Sequence, residues 1–289
     1  MIRRRSLLAL PLTLPFAQLS LSGCSDLGKA SEDAALDAVD LAREIVARDV
    51  EQVRKGMPEG VKLLLKRMPA DPVAGRLELQ TAIRAARENE QNLRIAKSTF
   101  FSFATPDGLV LRSEIDPDRL VDQNILKAFP GLSKALEPGA GLVEAYGEME
   151  ALRGVRKGTD LAWVVAHAVP GKEGEKPVGL FLSGWSFRLY ARFVQDGVRA
   201  KLTERTKDKE KKEIPVVYVY FAKTQGAYGD PDAPDMNAEQ LVKLEVAQKA
   251  QAGDFKTHIE IEKRAFGIGA KKEPLLGDDA AVAIVASVF

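Results

Sequence analysis

Residues 100–111 read FFSFATPDGLVL, and this stretch decides the expected fold class. Its first five residues are mostly aromatic, as is typical of a β-strand, and residues 109–111 return to an apolar, strand-like composition. Between them, Pro106 restricts φ and Gly108 adopts a positive φ without strain, so Pro106-Asp107-Gly108 is typical of a tight turn. The stretch therefore predicts a β-hairpin.

The sequence after the hairpin completes a first module, expected over residues 98–205. Its further elements are short helices within 116–129, strands over 142–152, 161–169 and 178–183, and a closing helix over 187–204. Together these elements predict a five-stranded antiparallel sheet with helices on one side.

A second, smaller module is expected over residues 206–289, after a Lys-rich charge run at 203–213. Its elements are a strand over 214–222, a turn at Gln225-Gly226, a helix over 237–250, and strands over 255–261, 265–271 and 280–288. The end of this module, residues 265–287, weakly resembles residues 162–183 of the first. The shared order of elements predicts two related α/β modules in tandem.

The sequence before the hairpin predicts a helical stem over residues 32–97. A first helix is expected to begin at Ser31 and to end at Gly56-Met57-Pro58, followed by helices over 61–67 and 76–96. Small and polar residues over 24–31 are typical of a tether. The predicted fold class is thus α+β, with a helical stem followed by two sheet modules.

The first 23 residues have the pattern of an export signal, with Arg3-Arg4-Arg5 before a short apolar stretch that Pro11 and Pro15 interrupt. The stretch ends in Leu21-Ser22-Gly23-Cys24, which resembles the lipobox of bacterial lipoproteins. The resemblance implies diacylglyceryl transfer to the Cys24 thiol, cleavage before Cys24 and acylation of the new N-terminus. Such a residue would anchor the protein in a lipid bilayer. The alternatives to a lipobox are an ordinary signal peptide or a buried cysteine. Residues 4–8 also resemble a twin-arginine export motif, for which the alternative is a generic basic n-region.

The expected location is the cell envelope, on the periplasmic face of a membrane. Ser25 follows the lipidated cysteine where an Asp would resemble an inner-membrane retention signal, and this weakly favours the outer membrane. Removal of residues 1–23 takes away three arginines and no acid, which lowers the formal net charge from +1 to −2. A mildly acidic domain is not expected to bind nucleic acid.

Two segments of the first module, residues 100–111 and residues 118–124, resemble extracytoplasmic PAS-like sensor modules of the Cache superfamily. The stem followed by two modules is similar to the double Cache arrangement over residues 32–289. The resemblance implies two PAS/Cache-like modules that bind a small-molecule ligand or a sensory partner. The Arg-Trp-Tyr constellation that binds amino acids in one branch of these receptors is not visible, so the resemblance leaves the ligand open.

Catalytic and metal-binding patterns are missing from the sequence, and we expect neither enzymatic activity nor a cofactor. Its two histidines, His167 and His258, have no second His or Cys at ligand spacing. Asp230, Asp232 and Asp235 alternate through two prolines without the glycine and terminal Glu of a calcium loop. An Asp- and Pro-rich turn is the favoured interpretation.

A ligand pocket, if present, is expected between the first sheet and its helices and loops. The candidate lining residues on or beside its strands are Tyr146, Arg153, Trp163 and Trp185. Arg119 and Asp122 are candidates for its mouth. Strand aromatics are more commonly core residues, and Arg119 and Asp122 could merely cap a helix. The alternative function is a structural or assembly lipoprotein that docks another envelope protein and has no ligand pocket.

Overall fold

The computed structural model describes residues 22–172, 175–207, 214–261 and 263–288. The predicted signal therefore lies outside the described residues except for the backbone of residues 22–23. Cys24 is described only through its helical backbone, so its predicted lipidation stays a prediction. No helix in the described ranges is both long and apolar enough to cross a bilayer.

The described part of the chain begins with one long helix, α1 (Ser22–Leu65), which would extend about 66 Å at 1.5 Å per residue. Its apolar stripe includes Val39, Val46, Val50 and Val53, which are fully buried. Residues 24–31 belong to this helix, so the prediction that they form a tether is wrong. Ser31, where a helix start was expected, is buried inside it because strand residues pack against that turn.

The predicted helix end at Gly56-Met57-Pro58 is also wrong, because α1 continues through Pro58 to Leu65. Gly56 and Gly60 leave room for the Leu93 side chain, which would lie 2.6 Å and 2.5 Å from a Cβ at these two positions. Met57 and Val61 are buried on the same helix. Burial of this turn outweighs the helix-breaking tendency of proline.

The rest of the stem consists of α2 (Arg76–Asn89) and α3 (Gln91–Ile95). A single helix was expected over 76–96, but Glu90 interrupts it in an extended conformation. Its carboxylate accepts a hydrogen bond from the Leu93 backbone N at 2.6 Å and so caps α3.

The first module has the predicted five-stranded antiparallel sheet. Its strands are β1 (Phe100–Ala104), β2 (Val110–Ser113), β3 (Val143–Gly147), β4 (Ala162–Val169) and β5 (Gly179–Ser186). Their order across the sheet is β2-β1-β5-β4-β3. The hairpin at residues 100–111 is confirmed, and Gly108 has the positive φ of +88° that its turn requires. The helix α4 (Ile125–Ala128) and a 3-10 helix (Pro130–Leu136) follow the hairpin, and α5 (Phe187–Thr206) follows β5.

The second module repeats the sheet. Its strands are β6 (Val216–Lys223), β7 (Gly226–Gly229), β8 (Phe255–Ile261), β9 (Arg264–Lys272) and β10 (Ala281–Ser287). The order β7-β6-β10-β9-β8 matches the first sheet position by position, which confirms two modules of the same topology. The sequence prediction missed β7, a four-residue strand beyond the expected turn. The expected helix over 237–250 is divided into α6 (Asp235–Lys243) and α7 (Val246–Ala252) at Glu245, whose φ is +53°.

Helix α1 packs against one face of both sheets, and a single apolar core joins them. The helix approaches β9 most closely at two glycines. A Cβ on Gly267 would overlap the backbone of Ser31 and Glu32, and one on Gly269 would lie 2.6 Å from the Leu36 backbone N. The small-residue pattern of Gly267-Ile268-Gly269 thus lets helix backbone lie directly on strand backbone.

We expect Gly267→Ala to lower the free energy of unfolding by about 3 kcal/mol, because the added methyl group must push α1 away from β9. The matched control is Gly141→Ala, where a Cβ would meet no atom within 4 Å. The control should stay within about 0.5 kcal/mol of the native protein. Urea denaturation followed by circular dichroism measures both, and equal stability of the two variants would contradict this packing.

Candidate functional site

The space expected to hold a ligand, between the first sheet and its covering helices, is filled with apolar side chains. Phe100, Val164 and Leu182 project from the strands and pack against Phe129 and Leu132 of the covering segment. All five side chains are at most 1% exposed. This side of the sheet is a packed core.

Trp163 and Trp185 lie on the opposite side of the first sheet, where both are fully buried. Their ring centroids are 4.2 Å apart, and Trp185 stacks on Tyr190 of α5 at 4.1 Å. Tyr190 in turn stacks on Phe221 of the second sheet at 5.4 Å. These four rings form an aromatic column that links the two modules. Within the described part of the chain, Trp185 Nε1 has no hydrogen-bond partner.

A carboxylate of α1 contacts this column. Tyr190 Oη donates a hydrogen bond to Asp49 Oδ2 at 3.1 Å, and Arg48 pairs with Asp49 Oδ1 at 2.7 Å. Asp49 is 1% exposed. Burial raises the pKa of the Asp49 carboxyl above its ordinary value, although Arg48 and Tyr190 favour the ionised form.

Tyr146 and Arg153 are both half-buried. Tyr146 Oη donates to the Leu275 carbonyl at 3.3 Å, and Lys223 Nζ lies 4.6 Å from the ring centroid. Burial raises the pKa of the Tyr146 phenol. Arg153 Nε is buried and has no hydrogen-bond partner among the described residues. Tyr146 therefore links β3 to the second module.

Arg119 and Asp122 are exposed. Asp122 pairs with Arg76 of α2 at 2.8 Å and has a positive φ of +62°, so it ties a turn to the stem. The six predicted ligand residues are thus distributed over the aromatic column, the module junction and this turn. Their predicted role in binding stays a prediction.

A groove of about 970 Å³ lies elsewhere, between the two modules. Its first wall is the loop of residues 154–159, together with Arg188 at the start of α5. Its second wall consists of residues 225–227, Pro231 and one side of α6. The α6 residues that line it are spaced by three and four positions, as one face of a helix requires: Asp235, Ala238, Glu239, Val242 and Lys243. We call this space the junction groove.

The loop on the first wall is held at its base by Asp160, which is 3% exposed. The Asp160 carboxylate accepts hydrogen bonds from Gly154 N at 2.7 Å, Ser186 Oγ at 2.5 Å and Arg188 N at 3.3 Å. A Cβ on Gly154 would lie 2.6 Å from Ser186 Oγ, so only glycine fits there. The ends of the loop are therefore fixed while Arg156 and Lys157 remain exposed at its tip.

The second wall is held by Asp230. Its carboxylate accepts hydrogen bonds from Arg192 Nε at 3.2 Å and Gln195 Nε2 at 3.1 Å, both on α5, and from Asp232 N at 2.9 Å. Arg192 also pairs with Asp232. The Asp- and Pro-rich turn is thus bonded to α5, and this positions Pro231 in the groove.

The two histidines make separate local contacts. His167 Nδ1 lies 2.8 Å from the Ala168 carbonyl, and His258 Nδ1 lies 2.5 Å from Glu32 of α1. Over the described ranges, no group of three or more His, Cys, Asp or Glu side chains could hold a metal ion.

The sequence prediction missed the junction groove. One local signal was available, because Gly154 and Gly158 flank the adjacent cations Arg156 and Lys157 between two predicted strands. The signal does not reveal the second wall, which comes from residues about 70 positions later in the chain.

No protein-family model matches the chain, and no curated protein matches it. Among similar solved structures is the sensory domain of the Campylobacter jejuni chemoreceptor Tlp3 with isoleucine bound. It is 10% identical, with a TM-score of 0.48, over 93% of this chain and 97% of that one. The ligand-binding domain of the Pseudomonas aeruginosa PAO1 amino acid chemoreceptor PctB, in complex with L-Arg, is 14% identical with a TM-score of 0.46, over 91% and 95%.

An extracellular ligand-binding receptor from Desulfohalobium retbaense is 10% identical with a TM-score of 0.44 over 86% of this chain. The chain spans 39% of the length of that receptor. The fold class assigned to this protein follows from its own strand pairing and helix packing.

We expect Asp49→Asn to change how stability depends on pH. A carboxyl whose pKa is raised in the folded state contributes its full stability below its unfolded pKa of about 3.9 and loses it as the pH rises through the folded pKa. The asparagine stays neutral and keeps an acceptor for Tyr190. The free energy of unfolding of the variant, relative to the native protein, should therefore be greater at pH 7 than at pH 3.5.

Urea denaturation at the two pH values measures this difference. Asp37→Asn, on the exposed side of the same helix, controls for the loss of a negative charge from α1. A relative stability of Asp49→Asn that stays constant or falls between pH 3.5 and pH 7 would show that burial does not govern this carboxyl.

Proposed function

We propose that this protein is a lipid-anchored, extracytoplasmic binding protein that takes a small molecule into the junction groove without catalysing a reaction. The observation that carries the proposal is the groove itself, which both modules line and whose two walls are held by the buried carboxylates Asp160 and Asp230. Drug-sized ligands commonly bind in clefts of about 300–1,000 Å³ at such interfaces. The filled core behind the first sheet favours the groove over the pocket expected from the sequence.

The direction of α1 determines which module a lipid anchor at Cys24 would place beside the membrane. The early turns of the helix, near Ser31 and Leu36, lie on β9 of the second module. Its later turns, at Gly56 and Gly60, contact Leu93 near the first module. An acylated Cys24 would therefore place the second module beside the membrane and the first module away from it. The export-signal pattern supports the proposed periplasmic location, and Ser25 weakly favours the outer membrane.

We expect Cys24→Ala to abolish acyl labelling and membrane retention, because Cys24 is the one cysteine of the sequence and thus the one thiol that can be lipidated. Cells are labelled with an alkyne fatty acid and then fractionated, with the inner and outer membranes separated on a density gradient. Ser25→Ala should leave labelling unchanged. Membrane association that survives the loss of Cys24 would overturn the proposed anchor.

A thermal-shift screen tests binding in the groove. The full chain in a non-ionic detergent is screened against organic acids, amino acids and amines, and any hit is titrated by calorimetry. We expect Val242→Trp to weaken the hit at least tenfold, because Val242 is 45% exposed and lines the groove. Met236→Trp is the matched control, since Met236 is 47% exposed on the same helix and does not line it. Equal binding by the two variants would place the ligand elsewhere.

The alternative is an assembly role in which the protein docks an envelope protein. Leu65, Val73 and Leu77 favour it, because these apolar side chains are 38%, 58% and 69% exposed around the turn from α1 to α2. A screen without any hit, together with capture of one envelope protein that is lost in Val73→Asp/Leu77→Asp, would replace the ligand-binding proposal with this one.

A further inference from the structure

The first wall of the junction groove presents positive charge. Arg156 and Lys157 are exposed at the tip of its loop, and Arg188 is half-buried behind them. Within the described ranges, none of the three has a carboxylate partner within 4 Å. The first wall of the groove thus contains cations without counter-ions, although residues 24–289 have a formal net charge of −2.

Arg188 is oriented so that its guanidinium remains available. Its Nε donates a hydrogen bond to the Thr159 carbonyl at 3.1 Å, and its backbone N donates to Asp160. The terminal guanidinium nitrogens have no hydrogen-bond partner in the described part of the chain. A planar guanidinium held by its Nε is suited to bind a carboxylate or phosphate through paired hydrogen bonds.

The second wall contains both acidic and basic side chains. Glu239 and Lys243 are four residues apart on α6, so they lie on the same side of the helix and offset one another. Asp235 is the remaining acid of the groove lining. The remaining cations of the lining are Arg156, Lys157 and Arg188. The groove therefore has two more positive than negative charges. The cations lie on the first wall and Asp235 lies on the second, so an anion can bind the first wall without contacting Asp235.

We infer that the ligand of the junction groove is a small multivalent oxyanion, a carboxylate or a phosphate, bound by Arg156, Lys157 and Arg188. The inference rests on the proposed function, since it names the ligand class of that groove. The base of the loop is already fixed by Asp160 and Gly154, so binding does not have to order the loop ends.

The test is calorimetric titration of the full chain, in non-ionic detergent at pH 7 and low salt, with three probes. Citrate represents carboxylates, inorganic pyrophosphate represents phosphates, and trimethyl citrate has the citrate skeleton without its charge. The groove variant is Arg156→Glu/Lys157→Glu. The matched control is Lys66→Glu/Arg67→Glu, which makes the same change of charge at two adjacent exposed residues at the end of α1.

We expect citrate or pyrophosphate to bind saturably, with at least a tenfold loss in the groove variant and a change of less than twofold in the control. The stronger of the two probes identifies carboxylate or phosphate. Affinity should also fall as salt rises from 50 to 500 mM, because exposed charges are screened. Trimethyl citrate should not bind.

Equal affinity for citrate and trimethyl citrate, or unchanged affinity in the groove variant, would overturn the inference. The inference also fails if neither anion binds while a neutral or cationic compound binds and its binding is lost in Val242→Trp. That result would leave the proposed function intact. If no compound of any charge binds, both the inference and the proposed function fail.

Discussion

The structure depends on the close approach of α1 to the second sheet at Gly267 and Gly269. Because these strand positions have no side chain, the helix backbone lies directly on β9, and the rest of the helix can then run along the first module as well. The long buried stripe of α1 is stabilised by its packing against both sheets, since most helical stability in proteins comes from tertiary packing of an apolar face and not from helix propensity. One helix thus packs against the inner faces of both sheets.

This shared helix determines where a ligand can bind. Each sheet turns one face to α1 and covers the other with its own helices, and both faces of the first sheet are filled with apolar residues. The aromatic column through Trp185, Tyr190 and Phe221 closes the interior between the modules. Space remains at the surface of the junction, where the 154–159 loop faces α6. That loop carries two exposed cations, Arg156 and Lys157, on the first wall of the groove.

Much of the fold could be predicted because strands and their turns leave local signals. The hairpin at 100–111 is where the apolar pattern placed it, and every described strand except β7 overlaps a predicted strand. The weak likeness of 162–183 to 265–287 corresponds to the equivalent pairs β4–β5 and β9–β10. Two errors have one cause. The helix passes through Pro58, and residues 24–31 are helical, because packing with distant residues outweighs local propensity. Trp163 shows the same limit of local sequence patterns. An aromatic residue on a strand can face either a ligand pocket or the core, and the sequence does not distinguish the two.

The sequence by itself determined the α+β class, the tandem repeat and the expectation of a lipidated Cys24, because each depends on residues that are neighbours in the chain. Tertiary structure alone decided which face of each sheet is filled and where the modules leave a groove. Arg156 and Glu239 are 83 positions apart, and no local pattern relates them. They line one groove because α1 and the aromatic column fix the position of one sheet relative to the other, although the strands of each sheet are encoded by separate parts of the sequence.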